Sequence, residues 1–207
     1  MDGHAQTDAE LLDTIRRTGG AAELDELASR YTGRVRCIVY PLVLNDADAD
    51  DVTQEAMVRA LKGLDGFRAD ASFSTWIYRV AVNTALNFLR KRNRRDAMWV
   101  ADEQMEDVAD PAFRAPTGEA EHAEIDRAIS EAMQQLPVAQ RTALSLVAIQ
   151  GRPEKEAARI AGCAHATLRW RLFRARRRLG EMLARAGHDI GQADATNRKT
   201  GPLRTDP

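Results

Sequence analysis

The segment from Gly151 to Arg178 constrains the fold more than any other part of the chain. It reads GRPEKEAARIAGCAHATLRWRLFRARRR, which contains two short helical patterns joined at Gly162-Cys163. The first pattern runs from Glu154 to Ala161 and has a small apolar side. The second has one narrow apolar stripe at helical spacing, formed by Leu168, Leu172, Ala175 and Leu179. Two short helices around a glycine turn predict a helix-turn-helix.

The opposite side of the second helix combines aromatic rings with guanidinium groups. Trp170 and Phe173 fall there among several arginines, which is unfavourable for a helix that only faces water. In a DNA groove, arginine neutralises phosphate or reads guanine edges, and apolar atoms touch thymine methyl groups. The alternative is a solvated basic helix at the end of a bundle, but the turn and the preceding helix favour DNA.

Composition limits the classes of protein to consider. A chain of 207 residues that is 44% hydrophobic and 29% charged can bury one medium core or two small ones. No stretch approaches the roughly 18 apolar residues of a membrane span, and the first residues lack the order of a signal peptide, so we expect a cytoplasmic protein. Cys37, Cys163 and the four scattered histidines have no ligand spacing. We therefore expect no disulfide, no metal and no cofactor.

The chain alternates helical patterns with acidic or polar segments. No stretch shows the period-two alternation of a strand, so we predict an all-α fold of two small helical domains. The net charge of -1 argues against a general nucleic-acid binder, but the charge is segregated along the chain. Acidic residues and two prolines favour a flexible linker between the domains. The assignment is an N-terminal extension (1–20), a first domain (21–96), an acidic linker (97–122), a second domain with the helix-turn-helix (123–186) and a disordered tail (187–207).

Two helices of the first domain present distinct outer surfaces. The helix from Ser74 to about Arg95, with Ser72 and Ser74 as candidate N-caps, combines arginine for phosphate, asparagine for base edges and tryptophan for stacking. Its outer row is Trp76, Arg79, Asn83, Asn87, Arg90 and Arg94. The helix from Asp48 to Leu64 has an acidic and amide-bearing outer arc, which suits a basic protein partner better than DNA. That arc is Asp51, Gln54, Glu55, Val58 and Lys62. Alternatively, the first surface is a solvated helix and the second only stabilises a helix dipole.

Three strings then resemble the two regions of bacterial extracytoplasmic-function (ECF) sigma factors, a subfamily of the sigma-70 family. They are DADADDVTQEAMVRALKGLDGF, FSTWIYRVAVNTALNFLRKRNRR and LPVAQRTALSLVAIQGRPEKEAARIAGCAHATLRWRLFRARRRL. The resemblance covers about Glu23 to Arg95 and Ile125 to Leu183. It implies that 21–96 is sigma region 2, that 123–186 is region 4, and that the chain directs core RNA polymerase to promoters and helps melt the −10 element.

The resemblance also implies which residues bind which partner. It implies that the acidic arc of the Asp48 helix binds the β′ clamp helices of core polymerase. It implies that the outer row of the Ser74 helix, Phe73 and the loop from Gly66 to Ser74 bind the −10 element. It implies that the −35 duplex is bound by Thr167, Arg169, Trp170, Arg171, Phe173 and Arg174. It further implies an anti-sigma factor as partner and a monomer when free.

The chain departs from the family pattern at several positions. Ala164 and Ala166 stand where proline and glycine are usual, Trp170 replaces a small or polar residue, and Asn87 stands where aspartate is frequent. The resemblance therefore implies the class of function and not a promoter sequence.

A second class of function stays open at this point: a polymerase-independent helix-turn-helix repressor or activator. Such a protein normally dimerises to match paired half-sites, whereas this chain shows no obvious dimerisation helix. An enzyme is disfavoured because no glycine-rich phosphate loop, paired carboxylates or nucleophile with a neighbouring base is recognisable, so no catalytic residue is assigned.

Overall fold

The computed structural model describes residues 6–99 and 120–188, and the regular structure in these ranges is helical without a strand. This confirms the all-α prediction. A single 3₁₀ turn, Leu64–Gly66, and a π-helical turn, Ser145–Ile149, interrupt the α-helices. The α-helices are α1 Asp8–Thr18, α2 Ala21–Val43, α3 Asp46–Lys62, α4 Phe73–Trp99, α5 Ala120–Gln135, α6 Val138–Leu144, α7 Glu154–Ile160 and α8 His165–Arg185.

Helix α1 lies in the segment that the sequence analysis assigned to an extension. Thr7 and Glu10 form a reciprocal capping box that starts the helix. Leu11 is buried against α2, and Asp8 accepts hydrogen bonds from Arg30 Nη1 at 2.7 Å and from the Tyr31 hydroxyl. Burial and the hydrogen bond to Asp8 raise the pKa of Tyr31. The N-terminal segment is thus a packed part of the first domain.

Helices α2, α3 and α4 pack on one another and form the first core. Its centre contains the fully buried residues Val35, Ile38 and Leu42. Asn45 caps α3 by accepting a hydrogen bond from the Asp48 amide at 2.9 Å. The Ser72 hydroxyl accepts one from the Thr75 amide at 3.2 Å, so Ser72, and not Ser74, caps α4. These caps start α3 two residues, and α4 one residue, before the predicted positions.

Helices α5 to α8 form the second domain, and its last two helices are the predicted helix-turn-helix. Ile160 of α7 and Leu168 of α8 are fully buried between them. Gly162 adopts φ 62° in the turn, a conformation that favours glycine, and the Cys163 amide donates to the Ala158 carbonyl at 3.0 Å. The turn therefore forms although alanine stands at positions 164 and 166.

The two domains contact each other directly. Helix α7 packs on α4, and α6 packs on α2. The Arg152 guanidinium lies 4.7 Å from the centre of the Tyr78 ring, and Gln150 Nε2 donates to the Cys37 carbonyl at 2.9 Å. The acidic segment is expected at 97–122; its middle, and the tail after 188, lie outside the described residues, while 97–99 and 120–122 belong to α4 and α5.

Candidate nucleic-acid interfaces

The outer side of α8 presents two large exposed rings next to guanidinium groups. Trp170 is 59% exposed and Phe173 is 58% exposed, while Leu168 and Leu172 on the other side are buried. The Arg174 guanidinium lies 5.8 Å from the centre of the Trp170 ring, a cation–π contact. The surface can offer apolar contact and a charged donor to the same stretch of DNA.

The six predicted −35 residues do not all share this surface. Arg169 is exposed, and Thr167, Arg171 and Arg174 are half-buried. Arg171 lines a crevice of about 360 Å³ between the domains, together with Arg90 and Asn93 of α4. The structure thus groups the exposed Trp170 and Phe173 with the half-buried Arg174 on one side of α8, and turns Arg171 toward the first domain.

Helix α4 presents a polar row along most of its length. Arg79, Asn83, Arg90 and Arg94 are exposed, and Trp76 and Asn87 are half-buried. The Asn87 side-chain oxygen accepts a hydrogen bond from Arg90 Nη1 at 3.0 Å. The buried side of the helix contains Ile77, Ala81 and Thr84.

Phe73 differs from the rest of the predicted −10 set because it is only 5% exposed. Its ring lies 5.2 Å from the Tyr31 ring and 5.5 Å from those of both Phe67 and Trp76, measured between ring centres. Phe73 therefore supports the half-buried Trp76 from below, and the indole is the ring of this cluster that is available to a base.

Phe67 and Arg16, which were not among the predicted site residues, also build this region. Phe67 is 7% exposed, and its ring contacts that of Trp76 in a tilted arrangement with 5.5 Å between the ring centres. Arg16 of α1 donates from Nη2 to the Phe67 carbonyl at 2.5 Å and so ties α1 to the loop before α4. The close spacing of Phe67, Phe73 and Trp76 is the one feature of the sequence that could have indicated this aromatic cluster. No sequence pattern could have indicated Arg16, because its contact with Phe67 joins residues 51 positions apart.

The predicted acidic arc of α3 is wholly on the surface. Asp51, Gln54, Glu55 and Lys62 are exposed, and Val58 is 50% exposed. Val52, Ala56 and Ala60 are buried on the other side of the helix. Glu55 forms an ion pair with Arg59 at 2.5 Å. The arc is a mainly acidic surface with one exposed aliphatic side chain near its centre, which suits a basic protein surface.

The part of the chain that the structure describes contains neither a metal-ion site nor a membrane-spanning helix. Within residues 6–99 and 120–188, His, Cys, Asp and Glu form no group able to hold a metal ion. Over the same ranges, no helix combines the length and apolar character needed to cross a bilayer.

Family models match both domains. Residues 27–95 match the model of sigma-70 region 2, and residues 126–179 match that of sigma-70 region 4. Among curated proteins, the chain is 33% identical to the RNA polymerase sigma-H factor of Pseudomonas aeruginosa over 188 residues, which cover 86% of this chain and 94% of that protein. It is 34% identical to the ECF RNA polymerase sigma factor SigM of Mycobacterium tuberculosis, over 87% of this chain and 86% of that one.

Solved structures share the fold. The sigma factor RpoE of Bartonella quintana, in complex with the anti-sigma factor NepR, superposes with a TM-score of 0.63 at 23% identity, over 79% of this chain and 98% of that one. CnrH in complex with the cytosolic domain of CnrY gives a TM-score of 0.61 at 23% identity, over 84% of this chain and 96% of that one.

Proposed function

The chain belongs to the ECF group of the bacterial sigma-70 family, and we propose how its exposed surfaces divide the work of such a factor. As a sigma factor it supports promoter-specific initiation of transcription by RNA polymerase. Region 2 corresponds to 21–96, with α1 packed on it, and region 4 to 123–186. The proposal is supported chiefly by one observation: the two domains present chemically different exposed surfaces, on α3, α4 and α8, and these include most of the residues that the family resemblance implies for binding.

Helix α3 docks the chain on the clamp helices of the polymerase β′ subunit. The surface used is Asp51, Gln54, Glu55, Val58 and Lys62. Its four polar side chains are exposed and Val58 is half-exposed, so no rearrangement of the buried face is needed. Residues near the centre of such an interface dominate its affinity.

Helix α4 and the loop before it capture unpaired bases of the −10 element. Trp76 supplies a stacking face, Asn83 supplies base-edge hydrogen bonds, and Arg79, Asn87, Arg90 and Arg94 follow the strand. Phe73 keeps Trp76 in place from the core. Flipping a base out of the duplex costs a few kcal/mol, which stacking and hydrogen bonds in the pocket must offset.

Helix α8 reads the −35 duplex through Trp170, Phe173 and Arg174, with Thr167 and Arg169 beside them. Neither DNA surface needs high affinity alone, because both are tethered through core polymerase and so have a raised effective concentration for their sites.

The remaining assignments follow from this role. The chain acts in the cytoplasm as a monomer when free, performs no covalent chemistry, and is controlled by an anti-sigma factor. The last point draws support from the Bartonella quintana structure, which is such a complex. A polymerase-independent repressor is the alternative; it leaves the surfaces of α3 and α4 without a role.

Reconstitution tests the proposal. The purified chain is mixed with core polymerase, and transcripts are measured from a promoter identified by genome-wide occupancy mapping. We expect promoter-dependent transcripts only when both are present. Replacing Asp51 and Gln54 by alanine should weaken core binding at least about tenfold, whereas Asp25→Ala, which removes an exposed carboxylate from α2, should not. A chain that binds duplex without core and initiates nothing supports the repressor instead.

A further inference from the structure

We propose that Glu154 is a positioning residue for recognition of the −35 duplex, and that it adds His165 to the DNA-binding surface. The inference rests on the proposed role of α8. Glu154 itself belongs to α7, the helix before the turn, and neither Glu154 nor His165 is among the predicted interface residues.

One carboxylate oxygen contacts two basic side chains of the recognition helix. Glu154 Oε2 lies 3.2 Å from His165 Nε2 and 3.7 Å from Arg169 Nε. His165 is the first residue of α8 and Arg169 follows one turn later, so both side chains lie on the same face of the helix. The side chains of Glu154 and His165 are 40% and 41% exposed, and that of Arg169 is 68% exposed. The cluster is therefore accessible to a ligand.

The location of this cluster favours contact with bases. In helix-turn-helix proteins the N-terminal residues of the recognition helix contact base edges. A free arginine can reach any nearby phosphate, which gives affinity without sequence information. An arginine held by a carboxylate has fewer orientations, and part of its charge is already compensated, so it is less attracted to phosphates in general. Glu154 thus lowers non-specific binding and keeps the Arg169 donors and the His165 ring where a matching base edge can meet them.

If Glu154 had a purely structural role, its replacement would not change sequence discrimination. As the first residue of α7 it also stabilises the helix dipole, and that role involves neither Arg169 nor sequence discrimination. The chain offers a matched control: Glu181 forms an ion pair with Arg177 at 2.9 Å on α8, so its neutralisation changes the net charge equally near the same helix.

The test measures the binding of a −35 duplex and of a scrambled duplex by the full chain assembled with core polymerase. We expect Glu154→Ala to lower the ratio of specific to scrambled affinity about fivefold or more, the lower end of what one base contact contributes. Scrambled binding should become tighter and its salt dependence steeper. Glu154→Gln, which keeps an acceptor oxygen, should retain part of the ratio, and Glu181→Gln should leave the ratio unchanged.

Two further variants separate the explanations. In an Arg169→Ala background, Glu154→Ala should have a much smaller effect on the ratio, because the side chain that it positions is gone. Equal ratios for Glu154→Ala and Glu181→Gln, or an undiminished effect in the Arg169→Ala background, would overturn the inference. If Arg174→Ala also leaves duplex binding unchanged, the failure lies instead with the proposed role of α8.

Discussion

Arg141 is a buried cation at the contact between the two domains. It donates from Nη1 to the Met133 carbonyl at 3.1 Å, at the end of α5, and from Nη2 to the Leu42 carbonyl at 2.8 Å, at the end of α2. Burial, with a smaller contribution from the charge of Arg92, lowers the pKa of Arg141 to about 10. The unfolded chain keeps the higher, ordinary pKa of an arginine, so above about pH 10 it binds more protons than the folded chain, and stability should rise with pH there.

Replacing Arg141 by methionine should lower the free energy of unfolding by at least about 2 kcal/mol, because buried carbonyl groups lose their donor at about 1–3 kcal/mol each. Methionine retains most of the length of the side chain, so little packing is lost. Urea unfolding at neutral pH measures the change. Arg159→Met, at an exposed position of α7, should stay within about 0.5 kcal/mol of the parent; equal losses in both variants would contradict the role of the buried hydrogen bonds.

Trp170 and Arg174 should each contribute to the affinity for the upstream duplex. Alanine at either position should weaken holoenzyme binding to that duplex by about 1–3 kcal/mol per lost base contact. Because the Arg174 guanidinium lies over the Trp170 ring, the two losses should not add fully. A binding titration at fixed salt measures them. Arg185→Ala, in the last turn of α8, serves as the control and should change the affinity little.

Asn83 should act at a different step. It is exposed on α4 and not on α8, so alanine there should slow opening of the −10 element and leave affinity for the upstream duplex nearly unchanged. Fluorescence of 2-aminopurine placed in the −10 element reports opening. Arg174→Ala is the reciprocal control, with weakened duplex binding as its primary defect. If each variant shows both defects, the division of labour between α4 and α8 is wrong.

At the level of elements, α1 is the feature that sequence reasoning missed. Its capping box was readable at Thr7 and Glu10, but a short helix at a chain end gives a weak periodic signal. Leu11 is 1% exposed, and Leu11→Ala should therefore destabilise the first domain by about 2–5 kcal/mol. Asp13→Ala, at an exposed position of the same helix, should cost less than about 0.5 kcal/mol. Thermal unfolding followed by circular dichroism compares the two.

Other elements show which signals in a sequence are sufficient. The helix-turn-helix was predictable because its apolar stripe and its glycine turn are local properties, and both appear at Leu168 and Gly162. The α3 and α4 surfaces were predictable for the same reason, since burial on one side fixes which residues face outward. The π-helical turn at Ser145–Ile149 and the burial of Phe73 were not, because each depends on packing against residues distant in the sequence.

At the scale of the whole molecule, the sequence predicted two domains and gave no sign of their contact. That contact depends on pairs such as Thr75 Oγ1 with Glu156 Oε1, at 3.3 Å, and Arg152 with the Tyr78 ring. Polar pairs between residues so far apart have no periodicity to reveal them. Interfaces of this kind within one chain are commonly small and polar, and relative motion of the domains is then expected.

With the two domains bound to the −10 and −35 elements as proposed, promoter geometry requires such motion. As their names indicate, the −10 and −35 elements lie about 25 base pairs apart, which is roughly 85 Å of duplex at 3.4 Å per base pair. Two touching domains of about 70 residues each, with radii of gyration near 11 Å, span only about 50 Å. Residues 100–119, about 20 in number, can bridge roughly 70 Å when extended. The domains can therefore separate far enough to reach both elements, but the contact seen here must break.

The contact between α4 and α7 should therefore be weak enough for one substitution to shift it. Arg152→Ala removes the contact with Tyr78, worth about 0.5–2 kcal/mol, and should increase the radius of gyration of the free chain, measured by small-angle X-ray scattering. Arg185→Ala provides the control for loss of an exposed arginine and should leave the radius unchanged. The Arg152 variant should also bind core polymerase slightly more tightly, because the closed state no longer competes with binding. An unchanged radius together with unchanged core affinity would show that Arg152 does not hold the domains together.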